Sequence, residues 1–182
     1  MNKRPETKHV PEDAWKSMVR HGVTPSMNMV VDDGDGNYLL LLRGNEPVKG
    51  HLWVPGGRIR NGETKLHALH RLMQGEIGLS PDQYDVLHVS DRHNEEIFAV
   101  HEMDQEHAKA RYGEGVDHVH YWGGISYVRL KPGVKDRITL DDQSHHFQWI
   151  KELAPGTHPY MLWYFRVIKE AGFPIPTLPE GA

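Results

Sequence analysis

Cysteine is absent from all 182 residues. That removes disulfides, thiolate metal ligands and cysteine nucleophiles together, so any metal must be held by oxygen or imidazole. Nor is there an excess of positive charge. Lys and Arg number 21 against 25 Asp and Glu, for a net charge of -4, which offers no field for gathering nucleic acid or an anionic membrane. Lys3, Arg4 and Lys8 form a small basic tail and nothing more. No apolar run approaches the roughly 20 residues that cross a bilayer, and no signal-like segment opens the chain, so no membrane association and a cytoplasmic location are expected. A chain of this length can bury one sizeable core, and two full domains would be cramped. A single domain over 1–182 is the expectation.

What the chain does contain is Gly57-Arg58-Ile59-Arg60-Asn61-Gly62-Glu63, followed by Arg71 and then Glu76-Ile77-Gly78-Leu79. Pro55-Gly56-Gly57 punctuates the apolar run Leu52-Trp53-Val54, and a helical period runs from Glu63 to Gly78, a natural C-terminal stop. Strand, glycine loop and helix are implied in that order. The helix is expected to bury Leu66, Leu69 and Met73 and to carry Glu63, Arg71 and Glu76 along another edge.

Around this segment, Glu12 to Arg20 reads as a short helix, and Met27 to Val31 and Tyr38 to Leu42 as strands of a hairpin about Asp33-Gly34-Asp35-Gly36-Asn37. Val86 to Val89, Val119 to Val128, Ile138 to Leu140 and Phe147 to Ile150 are further strand candidates, and Pro159 to Ala171 a closing helix. Gly172-Phe173-Pro174-Ile175-Pro176 stops that helix and leaves an extended tail over about 173–182. The polar segment from about 91 to 117, rich in His and Glu, reads as an inserted surface excursion, with a short helix at Glu102 to Ala110 and a possible use as a substrate lid or dimer arm.

The spacing of Gly57, Glu63, Arg71, Glu76, Gly78 and Leu79 resembles the Nudix box. Leu72 and Gly75 stand at two positions where that box has carboxylates. A box with Arg-Leu and just its last glutamate is similar to the GDP-mannose mannosyl hydrolase branch. Pro11-Glu12-Asp13-Ala14-Trp15, Arg43-Gly44-Asn45, Asp142-Gln143 with Trp149, and His158 with Tyr164-Phe165 extend the resemblance along most of the chain. It implies an α/β fold, an α/β/α sandwich with a mixed β-sheet.

By the same resemblance, the chain is a Mg²⁺-dependent hydrolase of a nucleotide sugar, foremost GDP-mannose, releasing GDP and mannose by water attack at the sugar carbon. The metal ligands implied are Glu76, a backbone carbonyl of the Gly56-Gly57 pair and the side-chain oxygen of Gln143. One Mg²⁺ is expected, with Mn²⁺ as a substitute, because so few carboxylates remain. Arg43 and Arg58 are placed to clamp phosphate oxygens. The branch carries its general base where Ser144 stands here, so His145 is the expected base if a bulge turns it inward, with His146 the other candidate. Asn28 replaces an aspartate associated with the sugar site. The related enzymes are dimers, which makes a homodimer the expected assembly and Trp15 a candidate interface residue.

Plainer readings stand beside these. Glu63 and Arg71 suit an ion pair tying the loop to its helix, Arg43 and Arg58 could be surface arginines, and Gln143 an exposed loop residue. His118 and His120 share a strand face at a zinc-compatible spacing, but no third ligand is fixed by sequence. A conventional Nudix pyrophosphohydrolase and a noncatalytic nucleotide-sugar-binding module are the competing functions. Missing carboxylates at Leu72 and Gly75 argue against the first, and Ser144 and Asn28 favour the second.

Overall fold

The computed structural model describes residues 10–140 and 144–181, without the side chains of Ser144 and His145. Gln143 and the basic residues Lys3, Arg4 and Lys8 lie outside the described residues. Four helices, α1 (Glu12–His21), α2 (Lys65–Ile77), α3 (Gln105–Tyr112) and α4 (Pro159–Glu170), accompany seven strands. The strands are β1 (Thr24–Asp32), β2 (Tyr38–Arg43), β3 (Leu52–Trp53), β4 (Gly56–Arg58), β5 (Tyr84–Ala99), β6 (His118–Leu130) and β7 (Ser144–Ile150).

They form one mixed sheet in the order β3-β2-β1-β6-β5, with β4 on β1 and β7 on β2. β1 runs parallel to β6 from Thr24↔Tyr121 to Asp32↔Arg129, and the other pairings are antiparallel. β1 is buried on both faces, so its residues alternate between two cores instead of between core and water. Met27, Met29 and Val31 pack under α2 with Leu69, Leu72, Met73 and Ile77. Val30, Ile125 and Tyr127 pack under α4 with Tyr164, Phe165 and Ile168. The expected α/β/α sandwich is therefore observed. A third cluster joins Trp15 and Val19 of α1 to Ala108 and Tyr112 of α3 and Val119 of β6.

The expected hairpin closes at Asp32↔Tyr38, where the Asp33 carboxylate accepts from the Asp35 and Asn37 amides at 2.9 and 3.0 Å. Beyond that pair β1 and β2 diverge, and β4 takes the edge of β1 from Ser26 to Asn28.

Four sequence readings need correction. The stretch from 91 to 99 is no surface excursion, because β5 continues to Ala99 along β6. Val89 faces Ser126 and His93 faces Gly124, so residues 90–92 carry a bulge that destroys the alternation a sequence reading needs. The helix beyond it starts later than expected, at Gln105, because Asp104 caps it by accepting from the His107 amide at 2.9 Å. Ile138 to Leu140 forms no strand. Its apolar side chains pack under α2 while the Thr139 amide donates to the Ile77 carbonyl at 3.1 Å, sealing the end of that helix. Leu66, finally, is 44% exposed, and burial on α2 begins one turn later with Ala68 and Leu69.

Candidate active site

α2 begins at Lys65 behind the cap Thr64 and ends at Gly78, whose φ of 72° is the left-handed stop that favours glycine. Glu63 therefore precedes the helix and does not share an edge with Glu76. Its carboxylate folds onto Arg71, which donates from Nε at 2.5 Å and from Nη2 at 2.8 Å, and the same Nη2 donates to the Arg58 carbonyl at 2.8 Å. Arg71 holds the Glu63 carboxyl below the usual carboxylate range. This is the ion pair of the plainer reading: it staples the loop to its helix.

In its last turn, α2 presents Glu76 to that loop, and Oε2 accepts from the Gly56 amide at 2.8 Å. Two close approaches explain the glycines. A Cβ on Gly56 would stand 2.5 Å from Asn28 Oδ1, and one on Gly57 would stand 2.8 Å from Leu72 Cδ2 and 3.3 Å from Glu76 Oε1. Leu72 is buried in the core beneath the loop, whereas a side chain at Gly75 would meet open space.

Glu76, Gly56, Gly57, Asn28, Arg43 and Arg58 line one cavity of about 210 Å³. Six of the sequence-predicted residues are thus brought together, and the side chain of His145 lies outside the description. Arg43 is oriented by a 3.0 Å hydrogen bond from Nε to the Pro47 carbonyl. Arg58 lies over the Trp15 ring, 3.8 Å from its centroid, and burial, reinforced by Arg111, Arg60 and Arg71, lowers its pKa. Trp15 is accordingly buried within this chain against α3, instead of standing free as an interface residue. Asn28 is buried and donates from Nδ2 to the Gly124 carbonyl at 3.3 Å.

On β7 the pairing with β2 is irregular. Ser144 faces Arg43 and His146 faces Leu42, so His145 is the surplus residue of a bulge beside Arg43.

Two residues of the same cavity escaped the sequence reading. Arg111, on α3, lines this cavity and a neighbouring one of about 720 Å³ bounded by Trp15 and Arg58. Its Nε is buried with no hydrogen-bond partner among the described residues. A buried Nε–H without a partner, beside Arg58, leaves a donor available to a ligand in the cavity. Glu96, on β5, is 4% exposed and burial raises its pKa to about 7. No local signal marks either residue, because both sit in the polar stretch read as an excursion. His118 and His120 stay outside this constellation: His120 Nε2 lies 3.3 Å from Glu95 Oε1, and among the described residues no three His, Asp or Glu side chains are grouped to hold a metal.

Comparison with known proteins agrees with this geometry. Residues 22–122 match the family described as the NUDIX domain. A low-salt glycan biosynthesis protein, Agl8, of Haloferax volcanii is 30% identical over 158 residues, covering 87% of this chain and 90% of its own. Among solved structures, the MutT protein from Methanosarcina mazei superposes with a TM-score of 0.55 at 15% identity, over 82% of this chain and 95% of its own. A Nudix hydrolase from Nitrosomonas europaea does so with a TM-score of 0.54 at 16% identity, over 85% and 93%. At such identities the structural likeness establishes the fold alone.

Proposed function

Because the chain belongs to the Nudix hydrolase family, whose members act on nucleotide derivatives and generally use a divalent metal, we propose that it is a Mg²⁺-dependent hydrolase of a nucleotide sugar. GDP-mannose is the foremost substrate, and the products are nucleoside diphosphate and free sugar, formed by attack at the sugar carbon. The observation that carries this reading is the carboxylate inventory of the box. Glu63 is consumed by Arg71, Leu72 belongs to the core and Gly75 has no side chain, which leaves Glu76 facing the cavity. One carboxylate suits one hard cation that keeps waters and phosphate oxygens as ligands, and is too few for the multi-ion cluster that activates water beside phosphorus. The glycan-biosynthesis relative also supports a sugar-linked substrate.

The residues present fit such an ion. The Glu76 carboxylate is seated against the glycine loop in a cradle that a Cβ on Gly57 would crowd. Glu76, a carbonyl of Gly56 or Gly57, and Gln143 would hold it. When bound, it supplies positive charge against the leaving diphosphate. Arg43 and Arg58 bind phosphate oxygens in the same cavity, and Arg111 adds a third guanidinium from α3. Water attacks the sugar carbon, the bond from that carbon to the diphosphate oxygen breaks with its electron pair leaving on oxygen, and His145 takes the water proton. The bulge beside Arg43 supports His145 over its neighbours, since bulges redirect side chains at such sites.

Product identity tests the reading. In ¹⁸O-labelled water with Mg²⁺ and GDP-mannose, mass spectrometry is expected to find unlabelled GDP and labelled mannose. Release of GMP and mannose 1-phosphate rejects attack at carbon in favour of the pyrophosphohydrolase, and binding without turnover favours the noncatalytic module.

A further inference from the structure

Glu96 has no part in the chemistry above, yet it is a buried carboxylate at the cavity wall. By the two-residue period of β5 it shares a face with Phe98, which packs in the α4 core. Its carboxylate lies across Gly123 of β6, where a Cβ would overlap Oε1, and the Asn28 Nδ2 atom is 3.4 Å from that same point. The Tyr164 hydroxyl donates to Oε1. Among the described residues no second donor reaches this carboxylate and no cation pairs with it, although the charge of Arg43 is felt there. A carboxylate has about four acceptor positions, and leaving them unmet in a desolvated site is costly. Glu96 lines the cavity that also holds Glu76.

We propose that Glu96 accepts hydrogen bonds from hydroxyls of the substrate's hexose ring and is the residue that selects the sugar. This rests on the nucleotide-sugar reading, and it adds the side chain that meets the sugar. The placement follows from connectivity. Glu76 joins Gly56, Gly56 abuts Asn28, and Asn28 and Glu96 meet over Gly123, so two strands, β1 and β6, lie between Gly56 and Glu96. In this proposal the hexose occupies that interval, and the nucleoside on the other side of the diphosphate takes the neighbouring compartment beside Trp15 and Arg111. Gly123 has no side chain because the carboxylate fills its space, and Tyr164 fixes one oxygen so that the other is presented to the ligand.

The test compares GDP-mannose with analogues lacking one hexose hydroxyl each, and with the inosine counterpart lacking the purine amino group, on wild type and Glu96→Gln. Both kcat/KM with Mg²⁺ and Kd in EDTA are measured. On wild type, at least one deoxy-hexose analogue is expected to lose about 10- to 100-fold; on Glu96→Gln the same deletion costs less than about 3-fold, and the Mg²⁺ response is retained. Tyr164→Phe, which keeps the ring in the core, is expected to reduce that discrimination partway. Wild type needs no substitution to report the hydroxyl dependence, so a poorly folding variant cannot hide the outcome. Equal discrimination in wild type and Glu96→Gln overturns the assignment, as does coupling to the purine amino group instead. If wild type turns over none of these compounds, the hydrolase reading fails, while the Kd matrix still decides whether Glu96 reads the hexose.

Discussion

The two ends of the cavity are built in opposite ways. Around Glu76, that residue reaches Gly56, 20 residues earlier, and Arg71 reaches Glu63, 8 residues earlier, so the box loop and its helix are joined by local contacts. At the far end, Glu96 depends on Tyr164, 68 residues later, and on Gly123 and Asn28 from two other strands. The first is a local motif that spacing encodes. The second is a meeting of strands that exists only after the sheet has formed, and its residues share no pattern in the chain.

Breaking the local half is expected to have the largest effect. Glu76→Gln keeps the shape and a hydrogen-bonding oxygen but removes the charge that holds the cation. Turnover is expected to fall by about 10³-fold with a weakened response to Mg²⁺ titration, at unchanged Tm. Equal rates across the titration in both proteins would contradict the ligand assignment.

Next in size is the bulge on β7 opposite Leu42 and Arg43. His145→Ala is expected to lower kcat by about 10²-fold and to flatten the pH profile near neutrality, as loss of a general base does. If His146→Ala produces that signature and His145→Ala does not, the base is the residue facing Leu42.

How far the sequence reveals each half follows from the same contrast. α2 and α4 were readable because their apolar period is long and bounded by Thr64 and Gly78 or by Pro159 and Gly172. β1 and β2 were readable as apolar runs about a glycine-rich turn. The second half of β5 was not: Ser90-Asp91-Arg92-His93-Asn94-Glu95-Glu96 has the composition of a loop, and only its ladder to β6 makes it a strand. Ile138 to Leu140 erred in the other direction, its apolar character serving to close α2. Glu96 shows why burial of a charged residue cannot be read locally, since the space and the donor it needs come from Gly123 and Tyr164. Asn28, Arg43, Arg58, Gly56, Gly57 and Glu76, singled out by the family resemblance, do line one cavity. Gln143 lies outside the described residues, so its role stays a proposal.

The smallest expected effect sharpens the local half alone. Glu63→Gln removes the charge from the staple while keeping its volume. A loss of about 1–3 kcal/mol is expected at neutral pH, measured by urea unfolding. The sign with pH follows from Arg71, which depresses the Glu63 pKa in the folded chain. That stabilisation is complete above the unfolded carboxylate value of about 4.3 and disappears as the pH falls through the lower folded value, so wild type and variant are expected to converge in acid. A gap that persists below about pH 3 would assign the loss to packing.

Tyr164 is not the sole tether from α4 to β5, since the Tyr160 hydroxyl both receives the Ile97 amide proton at 2.9 Å and donates to the Ile97 carbonyl at 3.1 Å. A ribosome-bound chain that has emerged only as far as His158 can already carry the glycine loop, its helix and the cation ligand. The phenols that pin the opposite wall lie on α4 and arrive last, so that wall is complete only once the final helix has docked.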